Sequence, residues 1–406
     1  MMEVERDFFL HHLYHQILPF WDRAFDPEEG GIFTCWTNDG KTLTSTDKYT
    51  WSQGRMLWCL SKLIGHDSPK KEYYYHEGQR IYELLGRGAI LSDPDEGVAF
   101  LLDKAGTPKG KEFYTSLYAD CFVSSGFARW GEATKNEAIV NEAYTLYQKT
   151  KGLIARGIIK SEPYPIPATH RSQGVDMIMC NTAHELSEAL KAFDPKRSEA
   201  VKEDAKRYAH HILDFFVDKG THQLREVVNL TNGETTLLER HRNPGHTLEC
   251  LWFILDVLND ERIDEMIPLL LTALEEGWDD ECGGIYRYID REGGEPRGER
   301  EDDAFSTLIA ETWDYKLWWV HVEALYALAR FTTVSHDPAI KQWYEKVQEY
   351  TFTTFPAKEE ALEWIQIRKR TGVPQERVIA LPVKDPYHII RALILLSELE
   401  GVRNVL

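Results

Sequence analysis

The chain lacks several features that would place it outside the soluble globular class. No apolar run approaches the roughly 18 residues that a transmembrane helix needs, and the N-terminus has no basic segment typical of a signal peptide. The six cysteines show no C-x-x-C spacing, which predicts reduced thiols in a cytoplasmic protein. Basic residues are fewer than acidic ones. The net charge of −19 disfavours nucleic acid and anionic membranes as partners, but not a small anionic substrate.

Common catalytic signatures are also missing. The sequence has no G-x-S-x-G, G-x-G-x-x-G, P-loop or H-E-x-x-H string. "HELSE" at 184–188 resembles the last of these but has no second histidine, and no cluster has the ligands of structural zinc. We therefore predict no metal site.

What the chain does contain is helical periodicity. Apolar residues recur at helical spacing in about twelve segments, and 12% of the residues are aromatic. The predicted helices are 4–22, 48–65, 70–89, 112–132, 135–155, 174–193, 197–218, 244–259, 262–276, 314–331, 337–354 and 385–400.

Turn-rich inserts separate several of these helices. "FDPEEGGIFTCWTNDGKT" at 25–42 reads as a β-hairpin, and "WDDECGGIYRYIDREGGE" near residue 279 repeats it. A solenoid of helical repeats would have shorter units without long hairpins. The pattern thus favours an all-α (α/α)6 barrel of six inner and six outer helices with short hairpin inserts. We predict a single catalytic domain over 1–406, with loops crowding one mouth of a central funnel.

Two helices carry unusual polar residues. Trp51 and Arg55 share one helix face, which suits the binding of sugar or carboxylate oxygens, although a core salt bridge would explain Arg55 equally well. Pro244 begins another helix, in which His246 and Glu249 lie at i and i+3. This spacing predicts that the carboxylate orients the imidazole.

The predicted helices 314–331 and 385–400 also carry candidate residues: the first has tryptophans, and the second has a histidine at its start. Trp319 and Glu323 are predicted to share one face, and Trp318 and His321 another. Such tryptophans serve either as a sugar platform or as core bulk. His388 opens the last helix just after Pro386, where it could act in chemistry or simply cap the helix, and Arg391 follows one turn later.

Four blocks resemble the signatures of the N-acylglucosamine 2-epimerase superfamily, which includes cellobiose 2-epimerases and mannose-type aldose–ketose isomerases. They are "DKYTWSQGRMLW", "NPGHTLE", "WDYKLWWVHVEALYAL" and "DPYHIIRAL", and they run in order from about residue 47 to 393. The resemblance implies the (α/α)6 barrel and proton transfer at the carbon beside an open-chain carbonyl. It implies no required cofactor. Nucleotide activation of some members is not carried over, because no phosphate-cradling loop is visible.

The resemblance also assigns roles. His246 and His388 match the two histidines that remove and return the C2 proton, Arg55 the enediolate-stabilising arginine, and Glu249 the carboxylate beside the first histidine. Residues expected to contact the sugar, from the resemblance or from the helix faces above, are Tyr118, Asn181, Trp51, Trp318, Trp319 and His321.

Two departures concern the substrate. Cellobiose epimerases carry a further histidine where this chain has Glu185, with His184 one residue early, and a tryptophan where it has Val383. We therefore expect interconversion of N-acetylglucosamine and N-acetylmannosamine, with an aldose–ketose isomerase or 2-epimerase of an unsubstituted sugar (mannose, fructose, glucose or cellobiose type) as the alternative. A glycoside hydrolase would need paired carboxylates, and a binding protein would show no C2 exchange. The oligomeric state stays open, with a homodimer as a candidate assembly.

Overall fold

The computed structural model describes residues 2–66, 68, 70–231, 233, 235–359, 362–378 and 381–399. Most of them form helices that alternate along the chain between an inner and an outer layer. The helices are α1 (Met2–His12), α2 (Leu18–Asp22), α3 (Thr50–Gly65), α4 (Lys71–Gly88), α5 (Leu117–Ala133), α6 (Glu137–Ala155), α7 (Gln173–Leu190), α8 (Pro195–His211), α9 (Leu237–Arg240), α10 (Pro244–Leu258), α11 (Ile263–Gly277), α12 (Ala304–Thr312), α13 (Trp318–Thr332), α14 (Pro338–Thr354) and α15 (Tyr387–Glu398).

Six of these helices form a closed inner ring. In order around the ring, α3 packs on α5, α5 on α7, α7 on α10, α10 on α13, α13 on α15, and α15 again on α3. The outer helices α4, α6, α8, α11 and α14 each pack on the inner helix that precedes them in the chain. The N-terminal unit, in which a π-helical turn over Leu13–Ile17 joins α1 to α2, packs on α15. This is the predicted (α/α)6 barrel.

Short antiparallel ladders lie at the mouth of the barrel, where chain segments enter the inner helices. The strands are β1 (Lys48–Tyr49), β2 (Leu101–Leu102), β3 (His170–Ser172), β4 (Val217–Asp218), β5 (Gln223–Leu224), β6 (Val227–Asn229), β7 (His241–Arg242), β8 (Ile289–Asp290), β9 (Lys316–Leu317) and β10 (Ile367–Arg368). They pair as β1 with β2, β3 with β6, β4 with β5, β7 with β8 and β9 with β10.

Sequence periodicity placed three helix starts too early. The helix predicted over 112–132 begins at Leu117, after a bridge between Ser116 and Ser161, and the ladders explain the other two. The predicted helix over 48–65 begins at Thr50, because β1 pairs with β2. Likewise, the helix predicted over 314–331 begins at Trp318, because β9 pairs with β10. The short helices α9 and α12 lie in connecting segments and were not predicted, since neither is long enough to show a periodic stripe.

The two hairpin sequences fold in the same way. The chain forms isolated antiparallel bridges within both copies, and a buried lysine that precedes an inner helix holds each one. Lys48 Nζ lies 2.8 Å from Asp26 Oδ2, and Lys316 Nζ lies 3.1 Å from Asp279 Oδ2. Both copies turn through a glycine pair with φ between +75° and +85°, a region that other residues rarely adopt. The glycines are Gly30, Gly31, Gly283 and Gly284.

Candidate active site

A cavity of about 250 Å³ opens among the N-terminal halves of the inner helices. Its floor consists of side chains from these helices, and its mouth is lined by the connecting segments. The volume lies just below the roughly 300–1,000 Å³ typical of ligand pockets, so the cavity suits a small molecule. The predicted residues that line it are Trp51, Arg55, Tyr118, His246, Glu249, Trp318, Trp319 and His388.

His246 is fixed by a capped helix start and by a carboxylate. The Asn243 side chain accepts a hydrogen bond from the His246 backbone N–H at 3.1 Å, as expected for an N-cap residue. The imidazole Nδ1 lies 2.8 Å from Glu226 Oε1. Because an ionised carboxylate can only accept, Nδ1 carries the proton, and Nε2 is left for a substrate. Burial disfavours the imidazolium, but the Glu226 charge outweighs it, so the pKa of His246 is raised.

His388 is held in a parallel way. Asp385 Oδ1 accepts hydrogen bonds from the backbone N–H groups of Tyr387 and His388, at 2.9 and 3.4 Å, and so caps the start of α15. The His388 Nδ1 atom lies 2.7 Å from Glu323 Oε1. Both cavity histidines therefore have a carboxylate on Nδ1, which fixes the same tautomer in each and presents Nε2 to the substrate.

Trp319 lies between the two histidines. Its ring centroid is 5.2 Å from that of His246 and 5.8 Å from that of His388, and it is tilted by 38° against each. A Cβ atom at Gly245 would lie 2.8 Å from the indole, so the glycine makes this close approach possible. The indole face and the two imidazoles thus border one small space.

Arg55 lies beside this space. One of its guanidinium nitrogens is 2.6 Å from Asp385 Oδ2, and its central carbon lies 4.0 Å from the ring centroid of Phe122 and 4.6 Å from that of Trp51. Arg55 is 8% exposed, and it lines the cavity. A buried, aromatic-flanked guanidinium is a strong electrostatic partner for an oxyanion. The salt bridge and the cavity position, which the sequence offered as alternatives, are both present.

Arg391 forms ion pairs with two buried carboxylates near His388. Its Nη2 atom lies 2.5 Å from Glu249 Oε1 and 2.6 Å from Glu323 Oε1. Although burial alone would raise it, the pKa of Glu323 is lowered to about 2 by Arg391 and His388. Glu249, Glu323 and His388 have the donor set and the proximity of a metal site, with ligand atoms within 4.8 Å of one another. Arg391, however, already binds one oxygen of each carboxylate, so we assign no metal there.

Glu249 differs from its prediction. Sequence spacing placed it beside His246, but the His246 ring turns toward Glu226 in the segment before α10, while Glu249 points to the floor and binds Arg391. Its Oε1 atom lies 3.8 Å from His388 Nδ1, so its nearer histidine is the second one. The prediction that His246 and Glu249 share a helix face is correct, but their spacing in the sequence does not determine the rotamer of the imidazole.

Two residues predicted to contact the sugar do not line the cavity. His321 is completely buried: its Nδ1 donates to the Leu317 carbonyl at 2.7 Å, and its Nε2 accepts from the Ile285 N–H at 2.9 Å. Burial lowers its pKa to about 3, and the neutral ring fastens the second hairpin to α13. Asn181 is buried on α7, deeper in the helix than the cavity-lining residues.

His184 also lies outside the cavity lining, half-buried on α7. The neighbouring Glu185 forms a buried ion pair with Arg129 and accepts a hydrogen bond from Trp58 Nε1 at 3.0 Å. At this point of α7 the chain therefore has an ion pair, and it offers the cavity no third histidine.

Several functional candidates escaped the sequence reading. Asp385 could have been recognised, because an acidic residue directly before a proline at a helix start is a capping signal. Glu226 carried no such signal, since it lies in a short irregular segment and meets His246 only through the fold. The sequence suggested no role for Glu323 and Arg391, which stood out only by their spacing from Trp319 and His388. Arg287 and Tyr288, which lie within the second hairpin segment, also line the cavity.

Comparison with known proteins identifies the family of the chain. The family model of N-acylglucosamine 2-epimerase (GlcNAc 2-epimerase) matches residues 31–392. The chain belongs to this family. It is 28% identical to N-acylglucosamine 2-epimerase from Bos taurus, covering 95% of this chain and 88% of the relative. Its identity to the cellobiose 2-epimerase of Dictyoglomus turgidum is 21%, over 93% and 94% of the two chains.

Solved structures of named sugar epimerases and isomerases share the fold. The cellobiose 2-epimerase from Bacillus thermoamylovorans B4167 superposes with a TM-score of 0.78 at 19% identity, covering 98% of this chain and 99% of that one. A D-mannose isomerase superposes with a TM-score of 0.72 at 16% identity, over 97% and 96% of the chains. At these identities the match establishes the (α/α)6 barrel. Within the described residues, no helix has the length and apolar character needed to cross a membrane.

Proposed function

We propose that this family member interconverts N-acetyl-D-glucosamine and N-acetyl-D-mannosamine. The observation that carries the proposal is the pair of cavity histidines, His246 and His388, which flank Trp319 and each have a carboxylate on Nδ1. Relatives named N-acylglucosamine 2-epimerase match 95% of the chain, which supports the choice of an N-acyl sugar.

The reaction is a proton exchange at C2 of the open-chain sugar. One histidine takes the C2 proton, and the electron pair of the C–H bond moves toward the C1 carbonyl to give an enolate whose negative charge lies on the C1 oxygen. The other histidine then donates a proton to the opposite face of C2, and the carbonyl forms again with inverted C2. One proton leaves and one returns, so the reaction needs no oxidant, and the proposal includes no cofactor.

The surrounding residues fit these steps. An imidazole can both accept and donate a proton around neutral pH. Glu226 and Glu323 hold the tautomers in which Nε2 faces C2. Arg55 is placed to stabilise the oxygen that gains charge in the intermediate, and Asp385 fixes the guanidinium. Trp51, Tyr118, Trp318 and Trp319 supply aromatic contacts to the sugar.

A cytoplasmic location is part of the proposal. We place the protein in the cytoplasm, because all six cysteines lie within the described residues and none forms a disulfide. The net charge of −19 argues against nucleic acid or an anionic membrane as a partner.

Isotope exchange tests the proposal directly. Incubation with N-acetylmannosamine in heavy water should give N-acetylglucosamine with deuterium at C2, detected by proton NMR. The same experiment with mannose distinguishes the alternative, an aldose–ketose isomerase, which would form fructose. No turnover of either N-acetyl sugar, together with fructose from mannose, would overturn the proposal.

A further inference from the structure

The floor of the cavity follows a repeat in the six inner helices. In five of them the sixth residue after the N-cap lies at the level of the floor, and in α15 the same holds when counting from Asp385, whose carboxylate caps the helix. Of these residues, all except the buried Glu323 line the cavity. Six residues correspond to about 9 Å along a helix, so these side chains lie at a common depth. They are Arg55, Phe122, Ile178, Glu249, Glu323 and Arg391.

This ring is divided into two sectors. The helices α3, α10, α13 and α15 contribute ionisable residues, whereas the neighbouring helices α5 and α7 contribute Phe122 and Ile178. Met177 on α7 and Phe253, one turn below Glu249 on α10, extend the apolar sector. These four side chains are 3–7% exposed, and all of them line the cavity. The floor thus has one patch that offers a ligand no hydrogen bond.

The position of this patch relates it to the C2 substituent. The two histidines and Trp319 belong to α10, α15 and α13, so C2 reacts on that side of the ring. In the proposed reaction, the C1 oxygen that gains charge is directed toward Arg55 on α3. The sector left for the remaining C2 substituent is the one formed by α5 and α7, across the ring from α13 and α15.

An apolar sector discriminates between C2 substituents. A C2 hydroxyl placed there would lose its hydrogen bonds to water without a replacement, which is costly in a buried site. The methyl group of an N-acetyl substituent gains instead from leaving water.

We propose that Phe122, Met177, Ile178 and Phe253 form the subsite for the alkyl part of the N-acyl group, and that Ile178 limits its length. This inference rests on the proposed function and extends it to acyl selectivity.

The test is a substrate series with the full-length Ile178→Ala variant. N-acetyl-, N-propanoyl- and N-butanoylmannosamine are compared by kcat/KM in the C2 exchange assay. Shortening Ile178 should raise the propanoyl-to-acetyl ratio of kcat/KM by about tenfold or more, because a pocket wall distinguishes one methylene by this order. Ile178→Val, a smaller and safer change, should shift the ratio in the same direction.

Met179→Ala is the matched control. Met179 is the next residue on α7 and is fully buried away from the cavity, so this variant loses packing without opening the floor. Its propanoyl-to-acetyl ratio should equal that of the unaltered protein. An unchanged ratio in both Ile178 variants, with N-acetyl turnover intact in the unaltered protein, overturns the subsite and leaves the proposed function standing. No N-acyl turnover in the unaltered protein overturns both.

Discussion

The Nδ1 atom of His246 lies 2.8 Å from Oε1 of Glu226, a residue that precedes it by 20 positions and lies in an irregular segment between two short strands. The corresponding contact of His388, with Glu323, is shared: Glu323 also accepts from Arg391 and from Trp252 Nε1. Glu226 is therefore the carboxylate that acts on one histidine with the least competition from other side chains.

Glu226→Gln should lower kcat/KM by about tenfold or more, since the amide cannot stabilise an imidazolium as the carboxylate does. Because the Glu226 charge raises the pKa of His246, its removal should also move the limb of the pH–rate profile that reports His246 to lower pH. The measurement is kcat/KM for N-acetylmannosamine from pH 5 to 9.

Two further variants make this test specific. Glu226→Asp should recover part of the activity and the original pH limb. Glu162→Gln changes a cavity-wall carboxylate that contacts neither histidine, so it should leave the pH limb in place. A Glu226→Gln profile that superposes on that of the unaltered protein would show that the contact is only structural.

His246→Asn and His388→Asn should each reduce epimerisation by about 10²–10⁴-fold, the usual contribution of a positioned acid or base. In a two-base reaction, however, each variant keeps the base for one epimer. Each should therefore still exchange the C2 proton of one N-acetyl sugar in heavy water, and the two variants should select opposite epimers.

His184→Asn is the control for this pair, because His184 lies outside the cavity lining. It should exchange both epimers. If His246→Asn and His388→Asn both exchange the same epimer, or if either keeps full epimerisation, the two-base assignment is wrong.

The fold was largely predictable because it depends on local periodicity. The twelve barrel helices show apolar stripes, and capping signals such as Asn243-Pro244 mark a real helix start. The duplicated hairpin also pointed correctly to a repeating ring. Helix starts at Thr50 and Trp318 were missed because the preceding lysines pair in ladders with strands from distant segments, and such pairing leaves no local signal.

The sequence predicted a site residue correctly only where its residue type and its helix face determine whether the side chain reaches the cavity. Arg55, His246 and His388 reach the cavity as predicted, since their helices point inward. The partner of His246 was wrong because a side-chain rotamer and a loop residue, Glu226, decide it. His321 was misplaced for a related reason: it shares a helix with Trp318, but the carbonyl and N–H groups that bind its ring are visible only in the fold.

Arg391→Met should destabilise the protein by about 3–5 kcal/mol, because it leaves Glu249 and Glu323 buried without their counter-charge. The measurement is the urea unfolding midpoint together with the slope. Arg391→Lys keeps the charge, but lysine lacks the planar guanidinium that reaches both carboxylates. Its stability should therefore lie between that of the unaltered protein and that of Arg391→Met.

Lys41→Met provides the comparison for a solvent-exposed pair. Lys41 lies 3.2 Å from Glu359 at the surface, and its loss should cost no more than about 1 kcal/mol. Equal effects of Arg391→Met and Lys41→Met would mean that the floor carboxylates do not depend on the guanidinium.

Asp120 gives a pH dependence of stability that is separate from catalysis. It is fully buried on α5, outside the cavity lining, where its carboxyl accepts hydrogen bonds from the Val98 N–H at 2.7 Å and the Thr150 hydroxyl at 3.3 Å. Burial raises its pKa from 3.8 to about 7. Between these values the folded protein holds a proton that the unfolded chain has lost, so this group's contribution to stability is full below about pH 4 and is lost as the pH rises to 7.

Asp120→Asn should remove this dependence, since the amide stays neutral at every pH. Relative to the unaltered protein, the variant should become progressively more stable from pH 4 to 7, and the difference should level off above pH 7. Urea midpoints at unit pH steps from 4 to 8 measure it, with the exposed Asp95→Asn as a control whose difference should stay flat. The histidines and surface carboxylates titrate in both proteins, so their contributions cancel in the stability difference between the variant and the unaltered protein. A constant Asp120→Asn difference over this range would mean that Asp120 is ionised in the fold throughout, with its burial offset by Val98 and Thr150.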